Sequence, residues 1–440
     1  MTAGRTARPL PAPILWVAGC VYLLAWFQLL ALDDPRAALG RFYGWFGATC
    51  ALYLAMLWMV RRAEAAAAPW RLSLGFILVI AALARWIMLE MTPTLSDDLS
   101  RYQWDARVGL AGLDPYAFAP AHPALKFLRD SDFTSINFPH VRTTYPFLTQ
   151  LAFRLGIVWG GTFTSMKLVF VLAEVLTCAA LLVLLVQRHR SPLWIVAYAW
   201  HPLAILEVAG SGHNDALGIA WLWVGFAAWQ LRGWVWAVVA WVAAFLSKFL
   251  SVIILPWWAF RKTFRGWIGV FVLMVGLPFL LHPTATTALI ETLSAMAGRS
   301  TANGLLYVTC ARLLGRPMVV ALLLAALWLA FTCWWARRQD DVLRYSFGVF
   351  IAAALLAPTL HPWYLLWWLP FFCFWRIPAL LALSGTVVLT YTSWPGYLAG
   401  GPWTIPTWAR LAQYLPVAIL ALWELRRLLP KRQPTAEGLR

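Results

Sequence analysis

Long runs of hydrophobic residues, separated by short polar segments, dominate this 440-residue chain. A helix that crosses a bilayer needs about 20 apolar residues, and the shorter runs here fit half-helices or re-entrant pairs that are buried in protein. The pattern predicts an all-α, polytopic transmembrane protein with about 12–14 spans. The runs cover residues 12–32, 42–60, 72–91, 163–186, 192–209, 214–231, 233–247, 249–260, 266–282, 317–336, 345–360, 364–375, 378–393 and 409–427.

Basic residues occupy alternate loops, which gives the orientation. Short cytoplasmic loops are rich in Lys and Arg, and this rule predicts a multi-pass protein of the bacterial inner membrane with both termini in the cytoplasm. The basic loop residues are Arg61, Arg62, Arg188, Arg190, Arg232, Arg261, Lys262, Arg265, Arg337, Arg338, Arg376, Arg426, Arg427, Lys431 and Arg432. The opposite, outer face receives most of the acids, namely Asp33, Asp34, Asp97, Asp98, Asp105, Asp114, Asp130, Asp132, Asp215 and Glu291.

Two predicted outer segments are long, at residues 92–161 and near 282–316. An ordered loop of this length inside a compact protein is usually functional. We expect residues 92–161 to carry short helices along the membrane surface. The chain then reads as one integral-membrane domain, 1–440, with amino-terminal spans in 1–91, a functional outer loop in 92–161 and the remaining spans in 162–440.

Composition supports lipid as the solvent and excludes two other classes. Hydrophobic residues make up 62% of the chain and charged residues 12%, against about 25% charged in soluble proteins. The net charge of +17 lies in short clusters between apolar runs, so it is a topology signal and no nucleic acid is expected as a partner. The six cysteines have neither disulfide nor zinc-site spacing. The 30 tryptophans suit membrane interfaces and stacking on sugars.

The acidic pair Asp97–Asp98 follows directly after a predicted span, at the start of the outer loop. Adjacent carboxylates repel each other, which raises the pKa of one of them and makes it a candidate general base. The alternative is structural, because an aspartate at this position also caps a following helix.

Further polar groups lie at the outer ends of apolar runs. Lys248 interrupts a long apolar stretch whose two ends are basic, so the stretch goes up and back with Lys248 at its apex. A lysine there needs an anionic partner, either a phosphate or a structural carboxylate. Each of the others also has a structural alternative, as a satisfied core histidine or a turn. Because these groups share one face, they predict a polar cavity there; they are Tyr145, His213, Asp215, His361 and Tyr364.

Three of the remaining acids have interpretations of their own. Asp340 and Asp341 form a second pair on the cytoplasmic side, in a loop without a glycine-rich phosphate motif, and we interpret them as a solvated turn. Glu174 lies inside a predicted span, where it indicates a polar contact between helices.

Several blocks together resemble a known family. Ser96-Asp97-Asp98 with Arg101-Tyr102, Trp104-Asp105 and Arg107, and then Gly112 with Pro115-Tyr116, resembles the first large outer loop of the GT-C superfamily of glycosyltransferases, closest to the bacterial polyprenyl-phosphate-mannose branch. Supporting blocks follow in the family's order, at Gly210–Ala216, Ser247-Lys248 and Leu360–Tyr364.

The resemblance implies a GT-C-like fold, a polyprenyl-phosphate sugar donor and an inverting displacement with Asp97 or Asp98 as base. Lys248 and Arg101 would neutralise the donor phosphate. Substrate contacts would come from Tyr102, Trp104, Asp105, Tyr116, Tyr145, His213, Asp215, His361 and Tyr364.

Two features depart from the family pattern. The loop follows the third predicted span, whereas in many GT-C enzymes it follows the first. A large carboxy-terminal outer domain is absent from the sequence, which argues against an oligosaccharyltransferase.

No cofactor is required by these motifs, although a divalent metal would find ligands in Asp97, Asp98, His213 and Asp215. The sugar is mannose or another hexose, and the acceptor is a lipid, a glycan or a protein. The main alternative is a transporter or flippase of lipid-linked sugars, which would place its polar groups at the bilayer midplane. A second alternative is another outer-face lipid-sugar enzyme, such as a ligase or polymerase of polysaccharide chains, which would use the same substrates.

Overall fold

The computed structural model describes residues 12–65, 70–296 and 303–428. Within these ranges the chain is mainly helical, and its only β-type contact is an isolated bridge between Asn303 and Thr359. The prediction of an all-α, polytopic membrane protein is therefore confirmed. The basic tail with Lys431 and Arg432, and the residues before 12, lie outside the described ranges.

The α-helices differ widely in length, from single turns to full spans. In chain order they are α1 Ala12–Leu30, α2 Leu39–Ala65, α3 Trp70–Leu89, α4 Asp98–Leu110, α5 Phe147–Val158, α6 Phe163–Gln187, α7 Val196–Ala199, α8 Pro202–Ala204, α9 Asp215–Gln230, α10 Trp234–Lys248, α11 Ile254–Ala259, α12 Arg265–Leu281, α13 Pro283–Met296, α14 Leu305–Leu314, α15 Pro317–Arg338, α16 Val342–Leu356, α17 Pro378–Thr386, α18 Trp394–Leu398 and α19 Thr407–Leu428. A π-helix covers Ile205–Gly210, and 3-10 helices cover Pro123–Leu128, Ser131–Ser135, Pro192–Ile195, Leu250–Ile253, Lys262–Phe264, Pro362–Trp367, Leu369–Cys373 and Val387–Ser393.

Four helices in the described ranges are long and apolar enough to cross a membrane, namely α2, α6, the stretch Lys262–Leu281 and α15. A fifth candidate is broken: Pro192–Ala199 and Pro202–Gly210 meet at an angle of 53°. Several other apolar helices are shorter, as expected of half-helices buried in protein. The total of 12–14 crossings stays a prediction, because apolar length alone does not show which short helices pair into one span.

The helices α6, α9 and α10 form the centre of the molecule, and α9 packs along both neighbours. Small residues on α9 let α10 approach closely. A Cβ added at Gly218 would lie 2.6 Å from the Lys248 Cβ, so this glycine brings the end of α10 against the start of α9. Phe249, directly after α10, takes a left-handed conformation with φ 57°, and the chain turns back there. The predicted apex at Lys248 is confirmed.

A buried ion pair joins α3 to α6. The Arg85 guanidinium donates to both carboxylate oxygens of Glu174, at 2.8 and 3.0 Å, and to the Ala199 carbonyl at 2.7 Å. Tyr198 also donates to Glu174, at 3.1 Å. These bonds satisfy two charges that are buried between helices. Glu174 is thus a polar contact between helices, as its position in the sequence predicts.

The predicted outer loop at 92–161 contains short helices, including α4 and α5, and it has a small core of its own. Trp104, Val108, Leu125 and Ile136 bury their side chains together in that core. The second predicted outer segment, near 282–316, contacts this loop, since the Thr284 hydroxyl donates to Asp114 at 2.6 Å. Arg142 of the loop also pairs with Glu291 of α13.

Asp340 and Asp341, the second acidic pair, have different surroundings. Asp340 is fully exposed and pairs with Arg261 at 3.1 Å, which fits the predicted solvated turn. Asp341 is only one-quarter exposed, pairs with Arg188 at 2.6 Å and caps the start of α16. The interpretation as a solvated turn is therefore too simple for Asp341, which ties α16 to the end of α6.

Candidate active site

The two aspartates stand at the start of α4 and share one amide. Asp97 occupies the N-cap position, but its side chain makes no capping hydrogen bond. The Asn137 side-chain nitrogen donates instead to Asp97 at 3.0 Å and to Asp98 at 2.7 Å. Helix capping alone therefore does not account for the pair, because Asn137 from farther along the loop holds both carboxylates in place.

The two carboxylates have opposite electrostatic environments. Burial and the neighbouring charge of Asp98 raise the pKa of Asp97 above its ordinary value. Burial alone would raise the pKa of Asp98 too, but the facing His213 and the charge of Lys248 lower it instead. Tyr102 adds a hydrogen bond to Asp98 at 3.4 Å. Asp98 is thus held as an anion, while Asp97 is the more basic carboxylate.

The segment between the π-helix and α9 is completely buried and turns at Gly212, where φ is +76°. A Cβ at Gly212 would lie 2.8 Å from Leu99 of α4 and 2.9 Å from the Lys167 side chain. The Lys167 ammonium donates to the Met91 carbonyl at 2.6 Å and, at 3.4 Å, to the Gly210 carbonyl. A residue without a side chain is therefore needed for this segment to reach the start of α4.

His213, in this segment, lies between two carboxylates. Its Nδ1 is 3.6 Å from Asp98 Oδ2, and its Nε2 is 3.3 Å from Glu207 Oε2. Burial alone would lower the pKa of His213, but the two flanking carboxylates raise it to about 9. At neutral pH the imidazole is therefore a cation beside the aspartate pair.

Lys248 supplies a second cation to the same site. Its ammonium lies 2.9 Å from Asp215 Oδ2 and donates to Asn214 Oδ1 at 2.9 Å, while the ring of Tyr145 lies 5.9 Å away. Of the two partners that the sequence allows for this lysine, a structural carboxylate is present in Asp215. The Lys248 side chain is still about one-fifth exposed, so it remains open to a further anion.

Aromatic rings close the site from the carboxy-terminal half of the chain. Trp363 is stacked between His213 and His361, with ring centroids at 4.1 and 4.3 Å. Burial lowers the pKa of His361 to about 4, so this ring is neutral. Trp367 donates to Asp215 at 2.6 Å, and together with Tyr364 it lines an apolar pocket of about 130 Å³.

The predicted site residues divide into two groups. One connected set of contacts joins Asp97, Asp98, Tyr102, Tyr145, His213, Asp215, Lys248, His361 and Tyr364.

The other four predicted residues make their contacts within the loop 92–161. Arg101 pairs with Asp105 at 3.0 Å. Its other two nitrogens donate to the carbonyls of Phe138 and Val141. Trp104 belongs to the loop core. Tyr116 donates to the Tyr145 carbonyl at 2.8 Å. None of these four contacts the aspartate pair within the described part of the chain, so they shape the loop that carries it.

Sequence reasoning missed several members of the site. Asn137 and Tyr391 stand far from Asp98 in sequence and carry no local signal, whereas Trp363 lies inside the recognised block Leu360–Tyr364. Asn214 lies inside a recognised block, next to His213. Glu207 did have a signal, because an acid within an apolar run is costly unless it has a partner.

A metal site is not preformed by these residues. Across residues 12–65, 70–296 and 303–428, no three His, Cys, Asp or Glu side chains are grouped closely enough to hold an ion. Asp98 faces His213 and Asp215 pairs with Lys248, so cations of the protein already stand beside two of the four predicted ligands. A requirement for a divalent metal stays a prediction.

Comparison with known proteins gives one match. A family model described as alpha-(1->6)-mannopyranosyltransferase, N-terminal domain, matches residues 16–262, which is more than half of the chain. Searches among curated proteins and among solved structures find no match. The matched segment includes Asp97, Asp98, His213 and Lys248, whereas Trp363 and Trp367 lie beyond it.

Proposed function

The chain belongs to the alpha-(1->6)-mannopyranosyltransferase family, and we propose that it is an inverting glycosyltransferase that uses a polyprenyl-phosphate sugar on the outer face of the membrane. The sugar is mannose or another hexose, and the acceptor is a lipid, a glycan or a protein. The observation that carries the proposal is the Asn137-bridged aspartate pair, with His213 and Lys248 as cations beside it. One carboxylate can take a proton there while a leaving phosphate gains charge.

Asp97 is our candidate for the general base. Its raised pKa suits proton removal better than the lowered pKa of Asp98. The acceptor hydroxyl gives its proton to Asp97 as its oxygen attacks the anomeric carbon. The bond from that carbon to the phosphate oxygen breaks on the opposite face, and the phosphate leaves with the electron pair. The configuration of the sugar is thereby inverted.

Lys248 is the candidate for the phosphate contact. An ammonium has three donors, and Asp215 and Asn214 use two of them. The third is available to a phosphate oxygen, whose growing charge it would stabilise. Arg101 is less suited to this role than the sequence suggests, because its nitrogens already bind within the loop.

The polyprenyl part of the donor is supported by the apolar pocket beside Trp367. That indole also donates to Asp215, the partner of Lys248, so an apolar surface and a cation stand close together. A lipid phosphate needs both. Both faces of Trp363 are covered by imidazole rings, so stacking against a sugar falls to Tyr145 or Tyr364.

The test is transfer of radiolabelled mannose from polyprenyl-phosphate mannose to a membrane lipid extract, in proteoliposomes. We expect Asp97→Asn to lower kcat by about 10²–10⁴-fold, which is the usual contribution of a general base, while donor binding is kept. Lys248→Met should instead weaken donor binding. Asp132→Asn, in the same loop but exposed, is the matched control and should transfer normally.

Two results would contradict the proposal. Full activity of Asp97→Asn would exclude this carboxylate as the base. Absence of transfer by the wild type with any polyprenyl-phosphate sugar, together with movement of such a lipid across the bilayer, would favour a transporter.

A further inference from the structure

We propose that an aromatic corner beside the aspartate pair, formed by Trp394, Tyr397 and Trp403, binds the acceptor and that this acceptor is a glycan. The inference rests on the proposed glycosyl transfer and extends it, because that proposal leaves a lipid, a glycan and a protein open as acceptors. Tyr145 or Tyr364 would serve the transferred sugar, so the acceptor needs a surface of its own.

The three rings of the aromatic corner contact one another edge to face. The ring centroid of Trp394 lies 5.0 Å from that of Trp403 and 5.7 Å from that of Tyr397, and the last two centroids are 5.5 Å apart. Trp394 is buried, Trp403 is partly exposed and Tyr397 is 45% exposed. The corner therefore combines a fixed inner ring with outer rings that a ligand can reach.

The loop that carries these rings is ordered by its own bonds. Gly400 has a left-handed φ of +84°, and the Gly401 amide donates to the Gly396 carbonyl at 3.0 Å. A Cβ at Gly401 would lie 2.9 Å from that carbonyl oxygen, so the turn needs a residue without a side chain. The Ser393 hydroxyl closes the loop by donating to the Thr404 carbonyl at 2.9 Å. The rings are thus positioned before a ligand binds, which lowers the entropy cost of binding.

Two hydrogen bonds attach this part of the chain to the candidate active site. The Trp394 indole donates to the Leu95 carbonyl at 3.2 Å, and Leu95 stands two residues, at most about 7 Å of chain, before Asp97. The Tyr391 hydroxyl donates to Glu207 of the π-helix at 2.7 Å. The aromatic corner therefore lies next to the carboxylate that we propose as the base for the acceptor hydroxyl.

The cation for the donor phosphate is connected to the other carboxylate. Lys248 donates to Asn214 at 2.9 Å, and the Tyr102 hydroxyl lies 3.3 Å from Asn214 and 3.4 Å from Asp98. The aromatic corner instead meets the chain just before Asp97. An inverting displacement needs the acceptor and the leaving phosphate on opposite faces of the sugar. The order of these contacts agrees with that requirement, because cation and corner stand at its two ends.

An ion pair beside the aromatic corner supplies polar groups for sugar hydroxyls. Arg36 donates to both carboxylate oxygens of Asp34, at 3.0 and 2.9 Å, and its guanidinium lies 5.2 Å from the ring centroid of Trp394. Both side chains are partly exposed, Arg36 by 24% and Asp34 by 37%. Binding sites for small molecules combine aromatic surfaces with a few placed polar groups. A sugar offers a C–H face to the rings and hydroxyls to the ion pair.

Aromatic residues near a membrane surface also serve as anchors in the head-group region. The ion pair of Asp34 and Arg36 favours a glycan over this role. Acyl chains that covered a partly exposed ion pair would remove its remaining hydration, whereas sugar hydroxyls replace the lost water with hydrogen bonds.

The test is acceptor saturation in proteoliposomes, with mannose transferred from polyprenyl-phosphate mannose to a water-soluble α-(1→6)-linked mannose trisaccharide. We expect Tyr397→Ala to raise the KM for the trisaccharide about three- to tenfold, with kcat and the KM for the donor near their wild-type values. Tyr397→Phe keeps the ring and should restore the KM for the trisaccharide. Trp408→Ala removes an exposed ring on α19 and, as the matched control, should leave both KM values unchanged.

A second measurement does not depend on transfer. Saturation-transfer difference NMR detects the trisaccharide bound to the protein in nanodiscs, and its signal should weaken in Tyr397→Ala and Asp34→Ala but not in Trp408→Ala. An unchanged KM and NMR signal in Tyr397→Ala would overturn the inference. Equal effects of Tyr397→Ala and Trp408→Ala would identify membrane anchors and overturn it as well.

The failure of this inference differs from the failure of the proposed function. A wild type that transfers mannose to a membrane lipid, but neither binds nor glycosylates the trisaccharide, would overturn only the glycan site. A wild type that transfers mannose to no acceptor would overturn the proposed function, while an NMR signal that depends on Tyr397 would still support the glycan site.

Discussion

At the scale of single residues, Asn137 restrains the pKa of both aspartates. Its amide donates to both carboxylates, and for Asp97 this bond lowers the pKa against the effects of burial and of Asp98. The bond thus limits how far the basicity of Asp97 rises, and it holds the loop over the site.

Replacement of Asn137 by Ala removes that restraint. The pKa of Asp97 should rise further, so the carboxylate is protonated at higher pH and the acid limb of the rate profile moves to higher pH. The rate at neutral pH should fall about tenfold or more. The pH dependence of mannose transfer measures this, with Thr134→Ala on the same loop as the control. An acid limb that stays in place would contradict the role of Asn137.

The residues of the site were predictable only where they carry a local signal. Asp97 and Asp98 stand out because two acids follow a span directly, and Lys248 because it interrupts an apolar run. Asn137 has no such signal, since its contact with the pair depends on how about forty residues of loop fold back. Arg101 shows the reverse case: its type and position suit a phosphate, but its bonds lie within the loop.

At the scale of elements, the turn at Gly212 brings the segment between the π-helix and α9 against α4. The left-handed φ costs a residue with a Cβ about 1–2 kcal/mol, and here a Cβ would also collide with Leu99 and Lys167. Gly315 has a similar φ of +63° but open space around it. A substitution at Gly315 therefore tests backbone strain alone, whereas one at Gly212 tests strain and close packing together.

Gly212→Ala should therefore lower both thermal stability and transfer, whereas Gly315→Ala should cost only the backbone term and leave transfer near the wild-type rate. The displaced segment carries His213 and Asn214, so we expect at least about a tenfold loss in kcat from a shift of 1 Å. Unfolding midpoints in detergent and transfer rates give the comparison. Equal behaviour of the two variants would mean that the close approach at Gly212 is unimportant.

The helices lie where the apolar runs predict them, but the type of helix does not always agree with the prediction. The run at 364–375 was predicted as a span or half-span and forms two 3-10 helices, Pro362–Trp367 and Leu369–Cys373. Periodicity in a short apolar run does not distinguish these possibilities. The break after Lys248 was predictable, since basic residues at both ends require the chain to return.

At the scale of the whole molecule, the charge pattern makes a prediction about orientation. Two cysteine variants test it. Ser131→Cys places a thiol in the exposed part of the loop 92–161, and His189→Cys places one in an exposed turn after α6. In right-side-out spheroplasts an impermeant maleimide should label the first variant and should label the second only after lysis, because positive loops stay inside. The wild type, with its six cysteines, gives the background. Reversed labelling would put the aspartate pair on the cytoplasmic side.

The family match ends at residue 262, while the stacked ring and the indole that contact His213 and Asp215 come from residues 363 and 367. The proposed catalytic groups and the aromatic rings that enclose them therefore come from different halves of one chain. On the proposed function, such a division would let the second half change its substrate contacts while the first keeps the catalytic groups. Chimeras of related chains, joined near residue 262, would then exchange substrate preference without exchanging the catalytic groups.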